Sequence, residues 1–452
     1  MAQKIKTRKS FNTLNTLPKV TNISVVGLGK LGLCLATIFA DKGYTVKGID
    51  INKFTVDSVN QGKSPIFEPG LQELITSNKE RLSATQDFDA ISETDVTFVI
   101  VPTPSNDSGE FSLDFVLPVM EKIGRVLASK NEYHLVVLSS TVMPGSMDSE
   151  VLPVLEKASG KKCGVDFGLC FNPEFIALGD VIKGLLKPDF ILVGESDAKA
   201  GQLISEIHRS VSQAPIERMN FVNAEIAKIA VNSFVTMKIS FANTLAEICE
   251  NMAGGDVDKI TTAIGKDKRI GSAYLKGSLG YGGPCFPRDN VAFSRFAEKA
   301  GIQAQLANAT HKINTNQVRR IIKLIESIGI HPPAAIGVLG LTYKPRTNVT
   351  EESQPLMLAS SLSEKGFKVT AFDPAFSNGK ENSITSVNLA KNLDDCIMQS
   401  ELCIIATPWD EFSKIDTKKF ENKTVLDCWR VYSPEVLPDT CKYFVVGKNP
   451  TS

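Results

Sequence analysis

The residue types best suited to chemistry are concentrated in residues 280–289, whose sequence is GYGGPCFPRD. Three glycines and two prolines keep this backbone out of regular helix or strand, so an irregular loop presents Cys285. Cationic groups close to a thiol lower its pKa toward that of a reactive thiolate, and Arg288 stands nearby. Cys285 is therefore a candidate nucleophile. The competing interpretation is an inert thiol in a structural turn.

The other cysteines of the chain carry no comparable pattern. The total is nine, an odd number, and no C-x-x-C pair occurs. This count argues against a disulfide framework and against a zinc cage, so we expect no metal. Most of these thiols lie in apolar surroundings and are expected to be small buried hydrophobic residues.

A second chemical pattern lies on a long helical segment, residues 223–251, which contains neither glycine nor proline. The segment is too apolar for a surface helix, so we expect protein on more than one of its sides. Glu225, Lys228 and Asn232 share one face of it. A buried lysine can carry protons or stabilise an oxyanion, whereas an exposed polar stripe would have no such role.

A dinucleotide-binding pattern lies near the start of the chain. The strand predicted at residues 23–26 runs into G-x-G-x-x-G, in which the first glycine permits a tight turn and the second lets a pyrophosphate approach the backbone. Asp50 ends the next predicted strand, where a carboxylate accepts from a ribose hydroxyl and favours NAD over NADP. The predicted cofactor turn consists of Gly27, Leu28, Gly29, Lys30, Leu31 and Gly32.

Three further strand ends carry polar residues: Thr103 in VPTP, Thr141 in SSTV and Glu174 in NPEF. Ligands of doubly wound sheets bind beyond the carboxyl ends of the strands, so these segments are candidates for the same crevice. Glu174 could orient or deprotonate a water molecule. Ordinary loops, and a solvated surface charge at Glu174, are the competing interpretations.

The alternation of predicted strands and helices indicates parallel sheets with crossover helices, in an α/β fold with two Rossmann-like doubly wound domains joined by a central helical region. Strands are predicted at residues 23–26, 45–49, 96–101, 135–139 and 190–193 in the first half, and at 335–339, 368–372, 402–406 and 424–426 in the last third. Helices are predicted at residues 223–251, 303–328 and 355–365. The central helices are also a candidate dimer interface.

Composition excludes several classes of protein. Fifty Lys+Arg balance fifty Asp+Glu, which gives no electrostatic case for a nucleic-acid or membrane partner. No segment has the ~18 apolar residues of a transmembrane helix, and the basic residues 1–20 lack the apolar run of a secretory signal. We expect a disordered tail there, with a transit peptide as the alternative, and a cytoplasmic protein.

Taken together, the motifs resemble those of the UDP-glucose/GDP-mannose dehydrogenase family. GLGKLG, VPTP, SSTV, NPEF, AEIAKIAVNSF, RIGSAYLKGSLGYGGPCFPRD and GLTYKP occur in the family's order between about residues 20 and 445. The resemblance implies an NAD-binding Rossmann domain (21–215), a central helical dimerisation domain (216–325) and a C-terminal Rossmann-like domain that binds the UDP sugar (326–452).

The resemblance also implies the chemistry. Two hydrides leave the same sugar carbon, each to a separate NAD, and a cysteine thiohemiacetal and thioester link the two oxidations. In this chain Cys285 is implied as the nucleophile, with Lys228 and Asp289 handling protons and the developing oxyanion. Asn232 and Thr141 are implied to place ligand or water, and Glu174 to act as acid/base.

Residues for the substrate carry over in the same way. The loop that holds the nucleotide sugar corresponds to Tyr274, Leu275, Lys276, Gly277, Ser278 and Gly282. Glu174, Lys228 and Asn232 are also implied substrate contacts. Lys344 matches a residue that meets the pyrophosphate, and Arg269 one that reaches into a partner subunit's site. Arg288 stands near the cofactor, where the family often has lysine.

The sequence departs from the family pattern at a few positions. Leu178 replaces a glutamate that lies near cofactor and sugar in relatives, while Val349 and Glu351 occupy the places of an aspartate and an NAD-contacting arginine. The resemblance implies a UDP-glucose 6-dehydrogenase or, because these departures lie near the ligands in relatives, a close sibling that acts on UDP-N-acetylhexosamine or GDP-mannose. A two-electron hydroxyacid dehydrogenase and an inactive nucleotide-sugar-binding regulator are the remaining candidates.

Overall fold

The computed structural model describes residues 18–176, 178–376 and 387–449, and the chain divides into two compact units. The first unit contains the chain up to Thr103 and Leu113–Ala224, and the second contains Pro104–Ser112 and the chain from Glu225 onward. Residues 1–17 of the predicted basic tail lie outside the described residues. The boundaries of the three expected domains stay predictions.

The first unit is built on an eight-stranded sheet of short, apolar, β-branched strands, in the order β3-β2-β1-β4-β5-β6-β7-β8. The strand order reverses between β1 and β4, which is where such sheets open a binding crevice. The strands are β1 Asn22–Val26, β2 Thr45–Ile49, β3 Leu82–Thr85, β4 Val96–Val99, β5 His134–Leu138, β6 Phe167–Phe171, β7 Ile191–Glu195 and β8 Ile216–Met219.

Helices connect these strands, and Asn52 and Asp197 cap the starts of two of them with their side chains. The helices are α1 Gly32–Asp41, α2 Lys53–Asn60, α3 Leu71–Ser77, α4 Val116–Ser129, α5 Leu152–Ser159, α6 Val181–Leu186 and α7 Ala198–Val211. A π-helical turn, Met147–Val151, precedes α5. Helix α1 is buried along nearly its whole length, and its Phe39 ring packs 4.9 Å from that of Phe98 on β4.

One strand pair departs from the predicted parallel sheet, because β6 and β7 are antiparallel, with Phe171 opposite Gly194. Antiparallel neighbours can be joined at one end of a sheet without a crossover. The chain between them, which contains NPEF and the short helix α6, makes such a connection. The expectation of purely parallel pairing is wrong at this position, while the doubly wound fold class is confirmed.

The second unit combines long helices with a six-stranded parallel sheet in the order β11-β10-β9-β12-β13-β14. Its helices are α8 Phe221–Glu250, whose first turn counts with the first unit, α9 Val257–Gly265, α10 Phe286–Lys299, α11 Gln305–Ser327, α12 Gln354–Glu364 and α13 Leu393–Met398. Its strands are β9 Ala335–Leu339, β10 Lys368–Phe372, β11 Asn388–Leu389, β12 Leu402–Ile405, β13 Thr424–Asp427 and β14 Lys442–Val445. Among the helices described, none has the length and apolar character needed to cross a membrane.

Successive side chains of the central strand β9 alternate between the two faces of this second sheet. Val338 packs with Ile325 of α11 and Leu362 of α12, whereas Leu339 packs with Ile397 of α13 and Phe412. The sheet is therefore covered on both faces, which explains why its strands read as continuous apolar runs.

Two buried histidines hold strand ends of the first unit in place. His208 on α7 hydrogen-bonds through Nε2 to Asn172 Oδ1 at 2.7 Å, and Asn172 Nδ2 donates to Leu192 O at 2.9 Å. His134 lies between Thr97 Oγ1 at 2.8 Å and the Lys130 ammonium. Burial lowers the pKa of His208 to about 4 and, together with Lys130, that of His134 to about 3.

We expect the first unit to lose stability as the pH falls from about 6.5 toward 4. Both histidines are neutral in the folded chain and titrate near ~6.5 when unfolded, so acid favours the unfolded state. Thermal unfolding followed by circular dichroism at pH 7.5 and pH 5 measures this loss. The His208→Gln variant, which keeps a donor to Asn172 but cannot titrate there, should show a smaller drop. An equal drop in the variant would contradict a role for His208.

Candidate active site

The glycine turn after β1 has two glycines that the fold requires and one that it does not. Gly27 has φ +92°, and a Cβ there would lie 2.2 Å from Ile100 O. A Cβ on Gly32 would lie 1.9 Å from Gly27 O, so that glycine lets α1 begin close to the turn. A Cβ on Gly29 would meet nothing within 4 Å. Gly29 therefore leaves an open approach to the backbone at the start of a helix, which suits a pyrophosphate.

Asp50 is fixed by the backbone of the same turn. Its Oδ2 accepts from Leu28 N at 2.7 Å and its Oδ1 from Asn52 N at 2.8 Å. Each carboxylate oxygen keeps a further acceptor position for a ribose hydroxyl. The Leu28 side chain is buried in the core beside Gly48, so Leu28 can meet a cofactor only through its backbone.

The other predicted strand ends of the first unit lie at the same edge of the sheet. Ser140 ties two of them together, since its Oγ accepts from Val101 N at 2.9 Å and donates to Val101 O at 2.7 Å. Thr103 is buried, while Thr141 and Glu174 are half-buried. The carboxyl ends of β1, β2, β4, β5 and β6 therefore carry all the cofactor and acid/base candidates of this unit.

A buried carboxylate that the sequence interpretation missed lies beside the turn that contains Leu178. Glu68 is 8% exposed, and it accepts from Val181 N at 2.7 Å and from Gly179 N at 3.2 Å. Leu178 itself packs against the apolar core. A carboxylate is therefore present at this turn despite the departure at Leu178, but it is supplied by a residue about a hundred positions away, which no local pattern reveals.

In the second unit, Cys285 stands at the N-cap of α10, where its carbonyl accepts from Asp289 N at 2.8 Å. It is the exposed one of the nine cysteines, and the other eight are buried or half-buried free thiols. The thiol is therefore accessible to a substrate, and it lies at the positive end of a helix dipole.

The electrostatics of Cys285 differ from the expectation. Cys285 is exposed as a residue, yet burial of the thiol among protein atoms raises its pKa, and Asp289 and Glu351 raise it further. Arg288 and Lys228 act in the opposite direction without prevailing. The prediction that nearby cations lower this pKa is wrong for the protein without ligands, because two carboxylates and desolvation outweigh them.

The polar face of α8 is buried rather than exposed. Glu225, Lys228 and Asn232 are at most 7% accessible, and Asn232 Nδ2 donates to Asp289 Oδ2 at 2.6 Å. This bond joins α8 to the helix that begins at Cys285. The buried polar positions continue along the helix at the same spacing, through Thr236, Ser240 and Asn243.

Arg288 completes the surroundings of Asp289. Its Nε and Nη2 lie 3.3 Å from Asp289 Oδ1, and its guanidinium carbon lies 4.7 Å from the centre of the Phe111 ring. Asp289 is 1% exposed. One of its carboxylate oxygens contacts the Arg288 guanidinium, and the other accepts from the Asn232 amide. A buried carboxylate requires such partners.

The predicted substrate loop has inward and outward residues. Leu275, Gly277 and Ser278 are buried, and Ser278 Oγ donates to Cys428 O at 2.6 Å, so these three residues fix the loop. Tyr274, whose φ is +60°, and Lys276 are exposed and remain candidates for contact with a ligand. The Ser278 hydroxyl is engaged within the protein, and the assignment of this loop to the nucleotide sugar stays a prediction.

A loop after β9, residues 343–352, packs on the glycines that precede Cys285. Gly283 N donates to Glu351 O at 3.1 Å, and a Cβ on Gly282 would lie 2.2 Å from Glu352 O. Gly282 thus has a packing role. Lys344 is half-buried in this loop, and Val349 O accepts from Tyr343 N at 3.2 Å. The charge-reversed position Glu351 is therefore next to the candidate nucleophile.

Arg269, predicted to reach into a partner subunit, is exposed and contacts Asp267 in its own chain. Its side chain is 88% exposed and forms a bidentate ion pair with Asp267, with Nη2 to Oδ2 at 2.6 Å.

Within the described ranges, no group of three or more histidine, cysteine or acidic side chains is arranged to hold a metal ion.

Comparison with known proteins identifies the family of the chain. The NAD binding domain model of the UDP-glucose/GDP-mannose dehydrogenase family matches residues 21–212, the central domain model residues 222–316, and the UDP binding domain model residues 337–434. The chain belongs to this family. It is thus a member of a family of NAD-dependent nucleotide-sugar dehydrogenases, its cofactor is NAD, and a nucleotide sugar is its substrate class.

Individual relatives cover nearly the whole chain. UDP-glucose 6-dehydrogenase AglM of Haloferax volcanii is 34% identical over 90% of this chain and 96% of its own length. GDP-mannose 6-dehydrogenase of Pseudomonas aeruginosa is 33% identical over 90% and 95%. A UDP-glucose dehydrogenase structure from Pyrobaculum islandicum superposes with a TM-score of 0.86 at 33% identity, covering 95% of this chain and 98% of that one. None of these family relatives supports the hypothesis of an inactive regulator.

Gly27 is required by the packing of the turn, whereas Gly29 faces open space, and this difference gives a test of NAD binding at the turn. Gly29→Ala should leave the melting temperature unchanged, because the new methyl group meets open space. It should weaken NAD binding roughly tenfold, because the methyl group obstructs the pyrophosphate. Titration of NAD by calorimetry measures the affinity.

Gly27→Ala is the matched comparison, and it should instead destabilise the fold by about 1–3 kcal/mol or more, through backbone strain and the clash with Ile100. Unchanged NAD affinity in Gly29→Ala would contradict the assignment of this turn to the cofactor.

Proposed function

We propose that the enzyme oxidises UDP-glucose to UDP-glucuronate in two successive two-electron steps, with Cys285 as covalent nucleophile. The observation that carries the proposal is the exposed Cys285 at the start of α10, beside the buried group formed by Lys228, Asn232 and Asp289. A hydroxyacid dehydrogenase needs no such thiol, because it stops after a single oxidation.

A nucleophile is needed because an aldehyde carbon is a poor hydride donor. NAD, when bound, accepts one hydride in each of the two oxidations, so two molecules of NAD are reduced per nucleotide sugar. The first oxidation converts the primary alcohol of the sugar to an aldehyde. The Cys285 thiolate then attacks the aldehyde carbon, and the resulting tetrahedral thiohemiacetal loses the second hydride to become a thioester. Water hydrolyses the thioester, releasing the carboxylate and regenerating the thiol.

The surrounding residues divide the proton transfers. Lys228 supplies a positive charge close to Cys285, which suits an oxygen that gains negative charge during attack or hydride transfer. Asp289, held by Asn232, takes and returns protons next to the sulfur. We assign the acid/base role of thioester hydrolysis to Glu174 and the placing of water or ligand to Thr141.

The raised pKa of the free Cys285 thiol fits this sequence of steps. A thiol that is protonated before substrate binds is less open to oxidation than a standing thiolate. Attack requires the proton to leave, and the nearby Asp289 can receive it. Activation of the thiol is therefore assigned to the bound state of the enzyme.

Binding of the nucleotide sugar is assigned to the exposed residues of its loop and to one lysine. Tyr274 and Lys276 contact the nucleotide sugar through their side chains, and Lys344 meets the pyrophosphate, where a flexible ammonium suits phosphate oxygens. UDP-glucose is favoured by AglM and by the Pyrobaculum structure. The GDP-mannose relative is nearly as similar, so GDP-mannose is the second candidate.

The reaction is tested by counting NADH formed per nucleotide sugar, with UDP-glucose, GDP-mannose and UDP-N-acetylhexosamines as donors. We expect about two NADH per UDP-glucose, because both oxidations occur at one carbon. The Cys285→Ser variant should complete the second oxidation at least ~10²-fold more slowly while binding NAD normally. One NADH per donor, or wild-type turnover by the variant, would refute the scheme.

We also propose that two copies of the chain associate through α8. The helix has 30 residues, about 45 Å at ~1.5 Å per residue, and it exposes Phe234, Phe241 and Ile248 by 51–59%. These residues are seven positions apart and share one face. An exposed apolar stripe of this length is suited to an identical stripe on a second copy. Arg269, with its exposed guanidinium, is then the residue assigned to the partner's sugar site.

Light scattering on the purified protein tests this association. Phe241→Asp should shift the mass toward that of the monomer, because a charge in the middle of the stripe would be desolvated on association. Val165→Asp is the control, since Val165 is 73% exposed and lies outside the stripe. A mass that stays unchanged in Phe241→Asp would exclude α8 as the interface.

A further inference from the structure

The segment Pro104–Ser112, which follows Thr103, folds into a hairpin of its own. Ser105 and Phe111 form an antiparallel bridge, and Ser112 N donates to Pro104 O at 2.8 Å. Asn106 N also donates to Glu110 O at 2.8 Å. The segment is therefore an ordered element with defined contacts.

This hairpin runs along one face of α10, the helix that starts at Cys285. The Phe111 ring covers Arg288 in the first turn of the helix. A Cβ on Gly109 would lie 2.6 Å from Val291 Cγ1, which leaves room there for glycine alone. At the far end of the helix, Lys299 pairs with Glu110. The α10 positions 288, 291 and 299 lie on one side of the helix.

The contact between Phe111 and Arg288 is the one closest to the reacting sulfur. Phe111 is 5% exposed, so its ring is held by the protein around it. The ring faces the Arg288 guanidinium at 4.7 Å, and the same guanidinium lies 3.3 Å from Asp289 Oδ1. An aromatic face attracts a cation and restricts its position. Arg288 thus contacts an aromatic surface and a carboxylate, and both contacts restrict its position.

We propose that Phe111 is a positioning residue of the cysteine chemistry: its ring holds Arg288 against Asp289, so that a positive charge stays beside Cys285. This inference rests on the proposed role of Cys285 as nucleophile. Phe111 itself touches neither substrate nor sulfur and acts through Arg288.

The consequence for the thiol follows from the charges that face it. Asp289 and Glu351 oppose formation of the thiolate, while Arg288 and Lys228 favour it. If Arg288 is released, the charge of Asp289 is less compensated and the thiolate becomes harder to form. Loss of the Phe111 ring should therefore make Cys285 less reactive at neutral pH, even though the cysteine and all four charged residues remain.

The test is alkylation of Cys285 by iodoacetamide in the full-length protein without ligands, followed by mass spectrometry of the peptide that contains it. In Phe111→Leu, which keeps an apolar side chain without a π face, the rate at pH 7.5 should fall roughly threefold or more, and the pH of half-maximal rate should rise. Phe111→Tyr, which retains the ring, should react at the wild-type rate.

Glu110→Gln is the matched control in the same hairpin. It weakens the pair with Lys299 at the far end of α10 and should leave the alkylation rate of Cys285 within about twofold of the wild type. Circular dichroism verifies that each variant is folded, and Phe111→Met replaces Phe111→Leu if the latter is not.

A wild-type or faster rate in a folded variant that lacks the ring overturns the proposal, as does an equal loss in Phe111→Tyr. Alkylation does not require turnover. Failure of the proposed oxidation would thus appear in the count of NADH and not in this rate, so the two hypotheses are tested separately.

Discussion

The site in the second unit depends on one buried carboxylate. Asp289 is almost completely removed from water, and a charge in that position must be compensated by the protein. Asn232 compensates it from α8 and Arg288 from its own helix, and Phe111 fixes Arg288 in turn. Three parts of the chain that are remote in sequence are therefore held at the first turn of α10, where Cys285 is located.

Much of this could be predicted from residue patterns, and the failures have physical causes. Periodicity predicted α8 almost to its ends, and the Gly/Pro loop identified Cys285 because both signals are local. Long-range pairing is not local. The carboxylate of Glu68 at Val181 N and the antiparallel β6–β7 pair depend on how the chain folds back, which no short motif encodes. The prediction of a lowered Cys285 pKa is wrong chiefly because the pKa is raised by desolvation, which a local pattern does not show, and next by Asp289, whose effect outweighs that of neighbouring Arg288.

The two sheets share one type of hydrogen bond: a backbone N–H in the turn after the strand donates to an aspartate carboxylate. The two aspartates differ in their other contacts. After β1, Leu28 N donates to Asp50 at 2.7 Å, and after β9, Leu341 N donates to Asp373 at the same distance. Asp373, however, also accepts from the Thr342 backbone and hydroxyl and from Trp409 Nε1 at 3.2 Å, and it is 2% exposed. The hydrogen bonds of the Asp373 carboxylate are thus made within its own domain. Asp50 keeps acceptor positions for a ribose, which explains why one Rossmann turn suits a dinucleotide and the other a different ligand.

The hairpin Pro104–Ser112 is inserted in the sequence of the first unit but packs as part of the second. The second unit is consequently made of two segments of the chain that are separated in sequence by part of the first unit. Recombination between relatives at the start of α8 would transfer the Cys285 helix from one parent and the Phe111 ring from the other. In such chimeras the hairpin and the helix that it contacts would come from different parents and would not match. Phe111 and the face of α10 from Arg288 to Lys299 should therefore change together in evolution, despite a separation of nearly two hundred residues.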